Sequence, residues 1–139
     1  MASARTTKIN RAAPSPRHDL EYYCRDLNGW PRSWMGLEKD LAPGQQLVAL
    51  FRPFLERVAA SDLSPKTIQK HVDNVWALGG EFIRDLHNDP SLRKKQVDRV
   101  LLQMIEYGGP LLHHSGEDQQ RSFDSTCRKF RLFLIEKAG

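Results

Sequence analysis

Five histidines, two cysteines and three tyrosines are the side chains of this 139-residue chain best suited to catalysis or metal binding. Their spacing assembles no centre. His113 and His114 are adjacent, but a tetrahedral metal site needs three or four ligands, and no further His, Cys or carboxylate stands at ligand spacing on the same helix, so no metal is expected. Cys127 falls on an apolar face with Phe123, Phe130 and Phe133, which suits a small core residue better than a nucleophile. Cys24 and Cys127 are too few for a disulfide framework and read as reduced thiols of a cytoplasmic protein. No Gly-rich phosphate loop and no Ser/His/Asp constellation occurs. Catalytic residues and cofactors are therefore expected to be absent.

The element with the clearest positioning power is residues 63–86, LSPKTIQKHVDNVWALGGEFIRDL. Ser64 followed by Pro65 is a helix start. The serine oxygen can accept an orphan backbone N–H, and proline at the first helical position lacks the N–H that would go unpaired. Ile68, Val72, Val75, Gly79, Phe82 and Leu86 then recur at steps of four and three, one apolar stripe over six turns. The pair Gly79-Gly80 inside that stripe permits a close helix approach or a local bend.

Length and composition set the class. A chain of this size can bury a core without staples, and 40% hydrophobic with 27% charged residues is ordinary for a globular protein. No apolar run approaches the roughly 20 residues that span a bilayer, so no membrane partner is expected. The net charge of +4 resides in residues 1–18, which hold Arg5, Lys8, Arg11 and Arg17 and no acid; the rest of the chain carries 17 basic and 17 acidic side chains. A neutral body weighs against a wide phosphate-wrapping surface.

The organisation along the chain is simple. Residues 1–18 are polar and aperiodic, and read as a disordered basic tail. Residues 19–139 read as a single all-α domain, a bundle of about five helices, since no segment alternates with period two. The expected order is a short helix over residues 19–28, a Trp30/Trp34 linker packed on the core, and another turn or two over 33–41. A helix opened by Pro43 and bent or broken at Pro53 follows. After the Ser64 helix, Asn88-Asp89-Pro90 stops the chain. A helix carrying Leu92, Val97, Val100, Leu101, Met104 and Ile105 comes next and is closed by Gly108-Gly109-Pro110. A last helix starts at Ser115 with a capping-box spacing to Asp118.

From about residue 47 to 86 the sequence resembles the N-terminal core-binding domain of tyrosine recombinases and phage integrases, a SAM-like helical module. Phe51, Phe54, Leu55 and Val58 match its first apolar helix; Leu63, Ser64, Pro65 and Thr67 match its Leu-Ser-Pro-x-Thr start; Val72, Val75, Phe82 and Ile83 match the long helix that follows. The same words, LSPKTIQKHVDNVW, are also similar to the recognition helix of quorum-sensing and response-regulator helix-turn-helix proteins. There the chain departs, because Val58-Ala59 begins one residue too close to Ser64 and residues 80–86 prolong the stripe.

Either resemblance implies an outward face of the long helix turned toward duplex DNA. Lys66 and Lys70, one turn apart, would neutralise phosphates, Thr67 would donate to one, and Gln69 and Asn74 would reach base edges. A second basic cluster, Arg93, Lys94 and Lys95 with Arg99, is expected to open the next helix, where cations oppose the helix dipole. Recombinase catalysis would further need a His-x-x-Arg box and a nucleophilic tyrosine in a following domain. No histidine here has an arginine three residues on, the tyrosines are Tyr22, Tyr23 and Tyr107, and no domain is expected after residue 139. The resemblance thus implies a DNA-binding module without chemistry. The alternative is a small helical protein-interaction or regulatory module that does not bind DNA.

Overall fold

The computed structural model describes residues 18–113 and 115–138. They form six α-helices joined by short 3-10 turns, with no strand among the described residues. The helices are α1 (Leu20–Tyr23), α2 (Trp30–Trp34), α3 (Leu41–Ala59), α4 (Pro65–Asn88), α5 (Val97–Met104) and α6 (Glu117–Ala138). The 3-10 turns are Leu27–Gly29, Glu38–Asp40 and Pro90–Lys94. The expected tail, residues 1–18, lies outside the described residues except for His18.

Helix α4 organises the bundle, and its start is local chemistry. Ser64 Oγ accepts from Thr67 N at 3.2 Å, and Pro65 occupies the first turn. Ile68, Val72, Val75, Phe82 and Leu86 are all buried, so the stripe is the core-facing side as expected. The helix ends at Asn88, where Asp89 leaves helical geometry and its side chain accepts from Ser91 N, starting the turn at Pro90. α4 packs against α1, α2, α3, α6 and the Pro90 turn, while α3 also meets α1, α2 and α5. An aromatic ladder fills the interior: Trp34 meets Phe51 edge-on at 6.2 Å, and Phe51, Phe54, Phe130 and Phe133 continue at 5.1–5.6 Å from α3 into α6.

Gly79 has one specific reason to be glycine. A Cβ there would stand 2.1 Å from Trp34 Cζ2, so α2 can lie on α4 only over a bare backbone. Two indole hydrogen bonds hold the contact: Trp34 Nε1 donates to the Trp76 carbonyl at 3.0 Å, and Trp76 Nε1 donates to Ser33 Oγ at 2.9 Å.

Several boundaries differ from the sequence expectation. The first helix is only one turn, because Cys24 turns non-helical (φ −151°, ψ 80°) and brings Leu27 and Trp30 into the core; tertiary packing overrides the helical pattern. Trp30 and Trp34 belong to a helix rather than a linker. α3 starts at Leu41 and runs unbroken through Pro53. The carbonyl that Pro53 leaves without a donor belongs to exposed Ala49, where water can replace the bond. Leu92 lies in a 3-10 turn outside α5. α6 begins at Glu117, with Gly116 accepting the bond from Gln120 N. Gln120 rather than Ser115 ties the preceding loop, through Leu112 N at 2.8 Å and the Pro110 carbonyl at 3.0 Å.

Candidate nucleic-acid interface

At the start of α4, Lys66 and Lys70 are exposed and carry no ion pair among the described residues. Thr67 is half-buried, and its hydroxyl oxygen accepts from Ser64 Oγ at 3.0 Å. Gln69 is occupied: its Nε2 donates to the Tyr23 carbonyl at 3.2 Å and to Asp73 Oδ1 at 3.0 Å, tying the end of α1 to α4.

Asn74 corrects the sequence reading. It is 3% exposed and faces α6, not solvent. Its Nδ2 donates to Ser122 Oγ at 3.1 Å and Thr126 Oγ1 at 2.9 Å, and its Oδ1 accepts from Gln119 Nε2 at 3.3 Å. No side of its amide is left for a base edge. His71, one turn earlier, joins the same seam with Nδ1 at 2.7 Å from Thr126 Oγ1. Burial, aided by nearby Lys129, lowers the His71 pKa, so its ring is held neutral. This polar seam went unseen in the sequence, because period alone does not say that a second helix covers the flank of the stripe.

The second cluster is divided. Arg93 is not a free cation. Its NH2 lies 2.6 Å from Oδ1 of Asp40, a fully buried carboxylate just before α3. Oδ2 of Asp40 accepts from Gly36 N at 2.9 Å, Leu37 N at 2.8 Å and His87 Nε2 at 2.7 Å. Burial pushes the Asp40 pKa up, but the donors from Arg93, His87, Leu37 and Gly36 outweigh it and hold the carboxyl well below the usual carboxylate range. Arg93 and Lys94 lie in the Pro90 turn rather than in the first turn of α5, so the expected conflict with the α5 dipole does not arise for them. Lys94, Lys95 and Arg99 form no ion pair among the described residues. Together with Gln96 and Gln103 they line an open recess of about 450 Å³ that contains no acid.

The two basic groups occupy opposite ends of α4. Lys70 and Asn88 are 18 residues apart on one continuous helix, about 27 Å at 1.5 Å per residue. The lysines at the Ser64 end therefore do not form one cluster with Lys94 and Lys95.

Burial pushes the Cys24 thiol up to about 11 and the Cys127 thiol up to about 12, far from the thiolate a nucleophile needs. His18 stacks on Tyr22, His71 and His87 are engaged as described, and His114 of the expected pair lies outside the described residues. Among the described residues no group of three His, Cys, Asp or Glu side chains is placed to hold a metal ion, and no helix is long and apolar enough to cross a membrane. Comparison with family models, curated proteins and solved structures finds no match to this chain.

Proposed function

We propose that this chain is a non-catalytic, cytoplasmic DNA-binding module of the recombinase core-binding, SAM-like type, which contacts duplex phosphates through separated basic surfaces. The observation that carries this reading is the acid-free recess of Lys94, Lys95 and Arg99, three cations without ion pairs among the described residues. The turn beneath it is held rigid by the Asp40–Arg93 pair, so cations are presented on a fixed support instead of a mobile loop. Lys66 and Lys70 add a second contact at the N-terminal end of α4, where the helix dipole also favours an anion. With Asn74 and Gln69 engaged inside the protein, binding is of the phosphate-positioning kind, without base readout from α4.

The test is a fluorescence polarisation titration of the full chain against a labelled duplex of about 20 base pairs, longer than the roughly eight that span 27 Å at 3.4 Å per pair. Log affinity falls linearly with log salt, at about −0.9 per neutralised phosphate. The triple change Lys94→Ala, Lys95→Ala, Arg99→Ala flattens that slope. A chain that shows no salt-dependent binding, or whose slope ignores the triple change because the tail alone supplies it, defeats the reading.

A second reading, a protein-interaction module, draws on a different observation. Leu132 and Ile135 stand 62% and 45% exposed on the outward side of α6, a site for an apolar partner surface. It becomes the working answer if duplex binding fails.

A further inference from the structure

A smaller, partly open cavity of about 250 Å³ shares Lys95 with that recess and is bordered by the first turn of α3, the C-terminal half of α4, the Pro90 turn and the start of α5. Its walls are of two kinds. Pro43, Leu92 and Val97 supply partly buried apolar surface over a floor of Phe82 and Leu86, while Lys39 and Lys95 supply two cations beside the Asp40-paired Arg93, and no acid lines it. Lys39 and Lys95 are exposed at the rim and have no ion pair among the described residues. The Arg93 Nε is buried without a hydrogen-bond partner, the one such side-chain atom among the described residues. Closed off from solvent, that Nε does not open onto the cavity, and the exposed ammonium groups of Lys39 and Lys95 are the cations a ligand there can reach.

The geometry points to a binding site for a small amphipathic monoanion, a carboxylate with a short apolar tail. The apolar walls take the tail and the Lys39/Lys95 rim takes the carboxylate, an arrangement of apolar lining with few placed polar groups that is general for ligand sites. At roughly 30 Å³ per water-sized atom the volume holds about eight non-hydrogen atoms, the size of hexanoate. An inorganic phosphate would use the rim and leave the walls empty; an uncharged chain would use the walls and leave the lysines unpaired. The site shares Lys95 with the basic recess but none of the outward α4 residues, and its test contains no DNA and varies only Lys39 and Ala42, so its failure is distinguishable from failure of duplex binding.

The experiment is a titration of the full ¹⁵N-labelled chain with hexanoate, hexanamide, acetate and inorganic phosphate, followed by amide chemical shifts. Hexanoate gives saturable shifts confined to the amides of residues 39–46 and 92–97. Hexanamide binds about tenfold more weakly, the loss expected when a charge-assisted contact goes, and acetate and phosphate fail to saturate in the same range. Two variants locate the site. Lys39→Gln, at an exposed unpaired position, weakens hexanoate severalfold and leaves the spectrum of the free protein otherwise unchanged. Ala42→Phe, at an exposed position on the cavity wall, fills the mouth and abolishes binding. Equal shifts from acetate and hexanoate, shifts scattered over the whole protein, or hexanoate binding that survives both variants would overturn the proposal.

Discussion

Asp40 and Arg93 stand 53 residues apart in the chain and 2.6 Å apart in the fold. Their pair joins the start of α3 to the turn beyond α4, with His87 as a third partner. Replacing Asp40 by Asn removes the charge that pairs with Arg93, and breaking one partner of a buried ion pair costs about 3–5 kcal/mol. Asp40→Asn is therefore expected to lower the melting temperature sharply at neutral pH. Adding Arg93→Met should restore part of the loss.

The same pair sets an acid limit. Asp40 is held below the usual carboxylate range in the fold and titrates near pH 3.9 when unfolded. A carboxyl depressed in the folded state contributes fully above its unfolded pKa, and that contribution is lost as pH falls. Melting temperature should decline below about pH 4 in the parent chain, with a shallower decline in Asp40→Asn measured by circular dichroism.

The α4–α6 seam has a separate pH window. The His71 pKa is lowered by burial and then by Lys129. Protonation thus favours the unfolded chain, and stability present above about pH 6.5 is lost as pH falls below it. His71→Leu should remove that part of the pH dependence without leaving Thr126 stranded, since its hydroxyl has the Ser122 carbonyl at 3.3 Å as an acceptor. Asn74→Ala should cost about 1–3 kcal/mol through partners left buried. Its duplex affinity, measured well below the melting point, should stay unchanged.

Neighbouring glycines of α4 give opposite signs. In an exposed helix interior, Gly to Ala gains about 0.8–1.0 kcal/mol. At Gly80 the nearest atom to an added Cβ is 3.6 Å away, an ordinary contact, so Gly80→Ala should stabilise. At Gly79 the Trp34 ring is 2.1 Å away, and displacing a packed indole should make Gly79→Ala destabilising by about 1–3 kcal/mol. Chemical denaturation of the two variants checks both signs.

For the duplex proposal, Lys66→Ala with Lys70→Ala should flatten the salt slope by up to about two units and leave the fold intact. A slope identical to that of the parent chain would remove the Ser64 end of α4 from the interface.

α4 was legible from the sequence because its determinants are local: a serine cap, a proline in the first turn, and a stripe whose period declares the core face. The same locality explains the misreadings. Asn74 lies at the edge of that stripe, and only the position of α6, some 50 residues later, decides that it is covered. Arg93 looked like one of three equivalent surface cations, since nothing near it in sequence announces Asp40. Pro53 is tolerated because the carbonyl it frees is on the outer side of α3, which composition cannot tell. The exposure of Lys66, Lys70, Lys94 and Lys95 agrees with their polar setting, but a continuous α4 of 24 residues separates them into two groups.

Trp30, Trp34 and Trp76 are the chain's full complement of indoles, and all three gather where α2 lies over Gly79. Intrinsic fluorescence consequently views this protein from one corner. Emission reports whether α2 is docked on α4, while α5 and α6 carry no indole and contribute nothing to it. An unfolding curve followed by tryptophan thus observes one corner while one followed by helical ellipticity sums all six helices, and their coincidence or separation reads directly whether the α2 clasp opens with the bundle or before it.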